Sequence, residues 1–119
     1  MDFPLIELGG NGPTLNVAPA NGFPPETYLP MVSPMMKTHH VVSLPPRALW
    51  GQESPPVAPG NWEIDVAVDL LNGLKSHSMR DVIALGHSFG GIASMLAVLN
   101  EPARFRALIM LDPTILSQD

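Results

Sequence analysis

Two short, wholly apolar runs, Asp81–Leu85 after its first residue and Ala107–Leu111, alternate with two stretches whose apolar residues recur at helical spacing. A run without polar alternation suits a strand buried on both faces, the usual state of a parallel strand covered by helices. Ahead of the first run, Trp62, Val66, Leu70 and Leu74 fall at i, i+4, i+8 and i+12, with Ala67 and Leu71 alongside. That stripe predicts a helix over 62–75, with Asn61 as its N-cap and Glu63, Asp65 and Asp69 facing away from the core. Phe89–Asn100, carrying Ile92, Met95, Leu96 and Leu99, predicts a second helix. Helices and apolar strands spaced this closely imply an α/β fold: a twisted, mainly parallel sheet with flanking helices.

The texture of the first half differs. Proline occurs 14 times, nearly always before residue 60, and only Pro102 falls between Asn61 and Met110. Strands are expected at Phe3–Leu8, Thr14–Ala18 and His40–Leu44. Glycine-rich Gly9–Pro13 and proline-rich Pro19–Pro25 provide the turns between them. A short helix within Glu26–Met36 would be interrupted by Pro30 and Pro34, and 47–60 reads as surface loop. The chain of 119 residues therefore reads as a single, incomplete domain, with a strand- and loop-rich part over 1–60 and a βαβ core over 61–112.

Composition narrows the functions available. A net charge of −5 leaves no basic stripe for a nucleic-acid backbone or an anionic membrane, so neither is expected as a partner. The absence of cysteine excludes disulfides, thiolate catalysis and Cys-ligated zinc. Neither a cofactor nor a metal is expected. No apolar run reaches the ~18 residues of a membrane span. The start, Met1-Asp2-Phe3-Pro4, lacks a basic region ahead of an apolar one, so a cytoplasmic protein without a cleaved leader is expected.

The chemistry centres on Gly86-His87-Ser88-Phe89-Gly90, a G-x-S-x-G placed where an apolar strand gives way to a helix. The pattern is common by chance, and its context makes it specific. A serine in so sharp a turn is held above the carboxyl edge of the sheet, at a helix N-terminus that favours a developing anion. Its strained backbone costs on the order of 1–3 kcal/mol. Glycine at 86 and 90 lets strand and helix approach without a Cβ clash. The competing reading is an ordinary glycine-rich strand–helix turn that binds a phosphate or nothing.

With these residues in view, the chain resembles the α/β-hydrolase fold family, specifically the N-terminal half of a serine esterase or lipase-like member. Gly86-His87-Ser88-Phe89-Gly90-Gly91 is similar to the family's G-H-S-[MF]-G-G elbow. Asn21-Gly22-Phe23-Pro24 resembles its H-G-F-P loop, with Asn21 in place of the histidine, and Leu111-Asp112-Pro113 resembles its L-I-D-P strand end. The resemblance implies a small-molecule ester or other acyl substrate, attacked by Ser88. It also implies an oxyanion held by the backbone N–H groups of Phe23 and Phe89, and a chain that stops after the family's sixth strand. Serine at the elbow, rather than aspartate, argues against epoxide-hydrolase and haloalkane-dehalogenase chemistry.

The family's triad follows the order Ser, Asp or Glu, His. The four histidines are His39, His40, His77 and His87, and none follows Ser88. His39, His40 and His77 read as solvated loop residues, and His87 as an elbow residue pointing away from the serine. Asp112 is a candidate for the triad acid; the same position more often caps the strand and shapes the pocket. Met31, Met35 and Met36 could line an acyl pocket or fill core, and Trp50 and Trp62 read as packing residues. Two functions result: a serine hydrolase whose base lies in a missing C-terminal half, and an inactive hydrolase remnant that binds a partner or a small acyl ligand. Residues 1–119 alone are expected to be close to inert.

Overall fold

The computed structural model describes residues 3–45 and 62–113, with the side chains of the second helix described from Asp65 onward. The expected loop over 47–60, the Asn61 cap, and the packing of Trp50 and Trp62 lie outside the described residues. The elements run β1 (Ile6–Gly9), β2 (Thr14–Ala18), a single α-helical turn α1 (Leu29–Val32) between 3₁₀ turns at Pro25–Tyr28 and Ser33–Lys37, and β3 (His40–Ser43). There follow α2 (Trp62–Ser76), β4 (Val82–His87), α3 (Phe89–Asn100), a 3₁₀ turn at Pro102–Arg104 and β5 (Phe105–Leu111).

These strands form one five-stranded sheet in the order β1-β3-β2-β4-β5. β2 runs parallel to both β3 and β4, β4 runs parallel to β5, and β1 alone is antiparallel, against β3. The expected mainly parallel α/β sheet is therefore present. Its described part has five strands. β4 lies inside the sheet with β2 and β5 on either side, so its alternate side chains are covered on both faces. This burial is what its unbroken apolar sequence requires.

The two faces are covered unequally. On one, α2 and α3 close over Leu44, Ala67, Leu70, Leu71, Leu74, Val82 and Ala97. On the other, the 25–37 segment lays Tyr28 and Val32 against Leu15, Val17, Val41 and Leu85, with Met35 and Met36 packed alongside. Those two methionines act as core filler, while Met31 is exposed. Pro25, Pro30 and Pro34 explain why the segment is three short turns, since proline cannot donate into a continuous helical ladder. β5 is less well covered. Ile109 and Met110 are exposed, and among the described residues nothing pairs with its outer edge.

One expectation about α2 is corrected. Asp69 does not face solvent but is buried, in contact with a hollow lined by Leu44, Pro45, Phe89, Gly90 and Ala93. Because α2 is covered by both the sheet and α3, its buried face is wider than the apolar stripe alone implies, and Asp69 falls within it.

Candidate active site

Ser88 joins β4 to α3 without a linker. His87 is the last residue of the strand and Phe89 the first of the helix. So abrupt a reversal forces Ser88 to φ 54°, ψ −118°, a region that non-glycine residues avoid at a cost of ~1–3 kcal/mol. Three backbone bonds hold it there. Ser88 N–H donates to the Leu111 carbonyl at 3.0 Å, and the Ser88 carbonyl accepts from Gly91 N–H at 2.9 Å and Ile92 N–H at 3.4 Å. The Ser88 hydroxyl does not cap the helix that it starts.

The flanking glycines are steric necessities. A Cβ on Gly86 would lie 2.4 Å from the Gly90 carbonyl oxygen, and one on Gly90 would lie 2.1 Å from the Ala18 carbonyl oxygen. Both distances are far inside the 3.4 Å at which ordinary contact begins. The close approach of α3 to β2 and β4 thus depends on both residues.

The loop after β2 reaches the same edge of the sheet. Ala20–Phe23 is a β-turn closed by Phe23 N–H donating to the Ala20 carbonyl at 3.0 Å. Gly22 supplies φ +84° at its third position, where a type II turn needs a positive φ. The Phe23 amide expected to hold an oxyanion is therefore already engaged in its own turn, which the sequence motif did not reveal. Phe89, the other expected donor, opens α3 and lines a hollow together with Ala18 and Pro19.

His87 turns toward Tyr28, in the 25–37 segment. Its Nδ1 lies 2.7 Å from Tyr28 Oη, and Tyr28 Oη in turn accepts the Ala20 N–H at 2.8 Å. Tyr28 was not among the residues singled out from the sequence. Asp112 follows Leu111, the strand partner of His87, and takes φ 45° at the exposed carboxyl edge. The strand register thus sets Asp112 beside the Ser88 turn.

The remaining histidines lie elsewhere. His40 Nε2 meets Glu7 Oε1 at 3.1 Å across β1 and β3, and His39 Nδ1 meets Thr38 Oγ1 at 2.7 Å. His77 is exposed as expected but is tied by Nε2 to the Phe3 carbonyl at 2.8 Å. Among the described residues no group of three His, Asp or Glu side chains converges as a metal site would, and no helix is long and apolar enough to cross a membrane.

Comparison with known proteins matches residues 17–119 to the model of the Alpha/beta hydrolase family. The chain belongs to that family. It is 36% identical over 81 residues to the lipase LipV of Mycobacterium tuberculosis, a match covering 65% of this chain and 30% of LipV. Among solved structures, it is similar to an N-formylmaleamic acid deformylase from Pseudomonas putida S16, with a TM-score of 0.76 and 25% identity over 92% of this chain and 42% of that one. A hydrolase from Pseudomonas aeruginosa PA01 shares the fold at a TM-score of 0.82 and 20% identity, over 96% of this chain and 43% of that one. The family member described here thus spans less than half the length of the relatives it matches.

Proposed function

We propose that the chain carries the nucleophile-bearing part of a serine hydrolase that cleaves a carboxylic ester through an acyl-enzyme on Ser88. The observation carrying this reading is the Ser88 backbone itself. A residue is kept at φ 54° in a strand–helix turn, with glycine required on both sides, where a glycine at 88 would relieve the strain. Strain retained at one side chain is accounted for if that side chain is needed, and the arrangement is that of a nucleophile elbow. Similarity to LipV, a lipase, supports ester chemistry.

In this mechanism Ser88 Oγ attacks the ester carbonyl carbon as a base takes its proton. The carbonyl π pair moves to oxygen, giving a tetrahedral oxyanion. Phe89 N–H, at the start of α3, and Phe23 N–H, sharing its bond to Ala20 as a three-centre contact, donate to that oxygen. Collapse expels the alcohol, which takes the proton from the base, and water then releases the acid by the same route. His39, His40, His77 and His87 all precede Ser88, so none of them stands where the triad order Ser, Asp or Glu, His puts the base. Asp112, beside the turn, is the candidate acid within the chain.

The test is hydrolysis of p-nitrophenyl esters by the full-length protein and by Ser88→Ala. Loss of about 10³-fold or more in kcat is expected for the variant, since removal of a triad member leaves only residual catalysis from the oxyanion site and binding. Turnover unchanged in Ser88→Ala would reject the assignment.

A further inference from the structure

The Tyr28–His87 contact joins two segments that the proposed chemistry needs in register. Tyr28 is buried, only 8% exposed, and a buried phenol requires partners for its hydroxyl. It has two. Oη accepts from Ala20 N–H at 2.8 Å, at the first residue of the turn that presents Phe23, and shares a proton with His87 Nδ1 at 2.7 Å, one residue before Ser88. The Ala20 carbonyl closes that turn by accepting from Phe23 N–H at 3.0 Å. Both backbone polar groups of Ala20 are thus committed, one to Tyr28 and one to Phe23.

The rings make the same connection a second time. Tyr28 meets the His87 imidazole edge-on, at a centroid separation of 5.6 Å and 73° between planes. Phe23 approaches that imidazole at 6.4 Å and 43°. His87 is therefore touched by both ends of the 23–28 segment. It is the last residue of β4, where it pairs with Leu111 of β5, so its Cα is set by the sheet.

We propose that Tyr28 and His87 act as a positioning pair that locks the Ala20–Phe23 turn to the Ser88 turn, setting the distance between the oxyanion-side amide and the nucleophile. Neither side chain touches substrate. The chain of contacts runs from Ser88 through its neighbour His87 to Tyr28 Oη, then to Ala20 N–H and the turn that ends at Phe23. Without the phenolic oxygen the turn remains closed on itself but loses its hydrogen-bonded tie to His87. Misplacement of an oxyanion donor by about 1 Å is enough to lower a rate by ~10²-fold while leaving ground-state binding nearly intact. This inference rests on the reading of Ser88 as nucleophile, and its test separates the two.

The experiment compares Tyr28→Phe, His87→Phe and His87→Asn in the full-length protein. Amide hydrogen exchange at Ala20 and Phe23 is read by NMR, and p-nitrophenyl ester kinetics are measured alongside. Tyr28→Phe keeps the ring and removes only the oxygen; exchange at Ala20 is expected to accelerate tenfold or more. kcat is expected to fall tenfold or more with KM held within about twofold. His87→Phe should behave alike. His87→Asn places Oδ1 where Nδ1 stood, as an acceptor for the Tyr28 hydroxyl, and should restore most of what His87→Phe loses. Unchanged exchange at Ala20 in Tyr28→Phe overturns the lock, whatever the kinetics show. Faster exchange with unchanged kcat overturns the positioning role. If Ser88→Ala retains full turnover, the nucleophile reading fails, while the exchange measurement still decides whether the lock exists.

Discussion

Replacing Gly90 by alanine should separate α3 from the sheet, and Gly91, its neighbour, supplies the control. A Cβ on Gly90 would stand 2.1 Å from the Ala18 oxygen, 2.5 Å from the Ala18 carbonyl carbon and 2.6 Å from the Pro19 oxygen. Ordinary contact begins near 3.4 Å, so helix and strand must part by more than 1 Å. β2 has little freedom to retreat, because it is hydrogen-bonded to β3 on one side and to β4 on the other, with Ala18 paired to Gly86. Overpacking of this kind costs ~1–3 kcal/mol, and a backbone obstacle belongs at the upper end. The better helix propensity of alanine returns ~0.5–1 kcal/mol. The net loss of about 2 kcal/mol corresponds to a Tm lowered by roughly 8 °C for a domain of this size. At Gly91 the nearest atoms to a new Cβ are 3.3 and 3.4 Å away, so strain and propensity nearly cancel and Gly91→Ala should stay within ~0.5 kcal/mol of the parent. Thermal unfolding followed by circular dichroism compares the three proteins. A Gly90→Ala protein melting within 2 °C of the parent, or a Gly91→Ala protein destabilised as much as Gly90→Ala, would refute the steric argument.

Two buried polar residues should respond oppositely to truncation. Ser94 Oγ is buried with no hydrogen-bond partner among the described residues, so Ser94→Ala should be neutral or stabilising by up to ~1 kcal/mol in urea titration. Asn16 Oδ1 accepts the Leu44 N–H at 3.0 Å, so Asn16→Ala should cost ~1–3 kcal/mol by leaving that amide unsatisfied. Residues 1–119 alone should hydrolyse a p-nitrophenyl ester barely above background, since a protonated serine without a base is a weak nucleophile. The same polypeptide should self-associate through the outer edge of β5, which no strand pairs among the described residues and where Ile109 and Met110 are exposed. Sedimentation showing a stable monomer at high concentration would contradict that expectation.

Features governed by local chemistry were legible from sequence. β2 and α3 have the expected bounds of Thr14–Ala18 and Phe89–Asn100, because proline or a glycine-rich turn marks an end of each element. The strain at Ser88 and the need for glycine at 86 and 90 follow from joining a strand directly to a helix. Features set by distant segments were not legible. Helical periodicity assigned Asp69 to solvent because its acidity stood out, but the width of the buried face of α2 depends on α3 and the sheet, which a stripe does not report. Tyr28 escaped notice for the same reason. Its meaning lies in a hydrogen bond to a residue 59 positions later, and a lone tyrosine among prolines gives no sign of that. The Phe23 amide illustrates a subtler gap. A loop motif can indicate which residue follows the glycine, while the bond that closes the turn is a property of the folded backbone.

The most direct test of the central claim is to find where a fluorophosphonate probe attaches. The full-length protein is treated with the probe, digested and mapped by mass spectrometry beside Ser88→Ala. The account predicts one adduct, on Ser88, absent from the variant, because among the described residues only that serine stands in a strained turn at a helix N-terminus with its hydroxyl uninvolved in capping. An adduct on another residue, an unmodified Ser88, or equal labelling of the two proteins would contradict it.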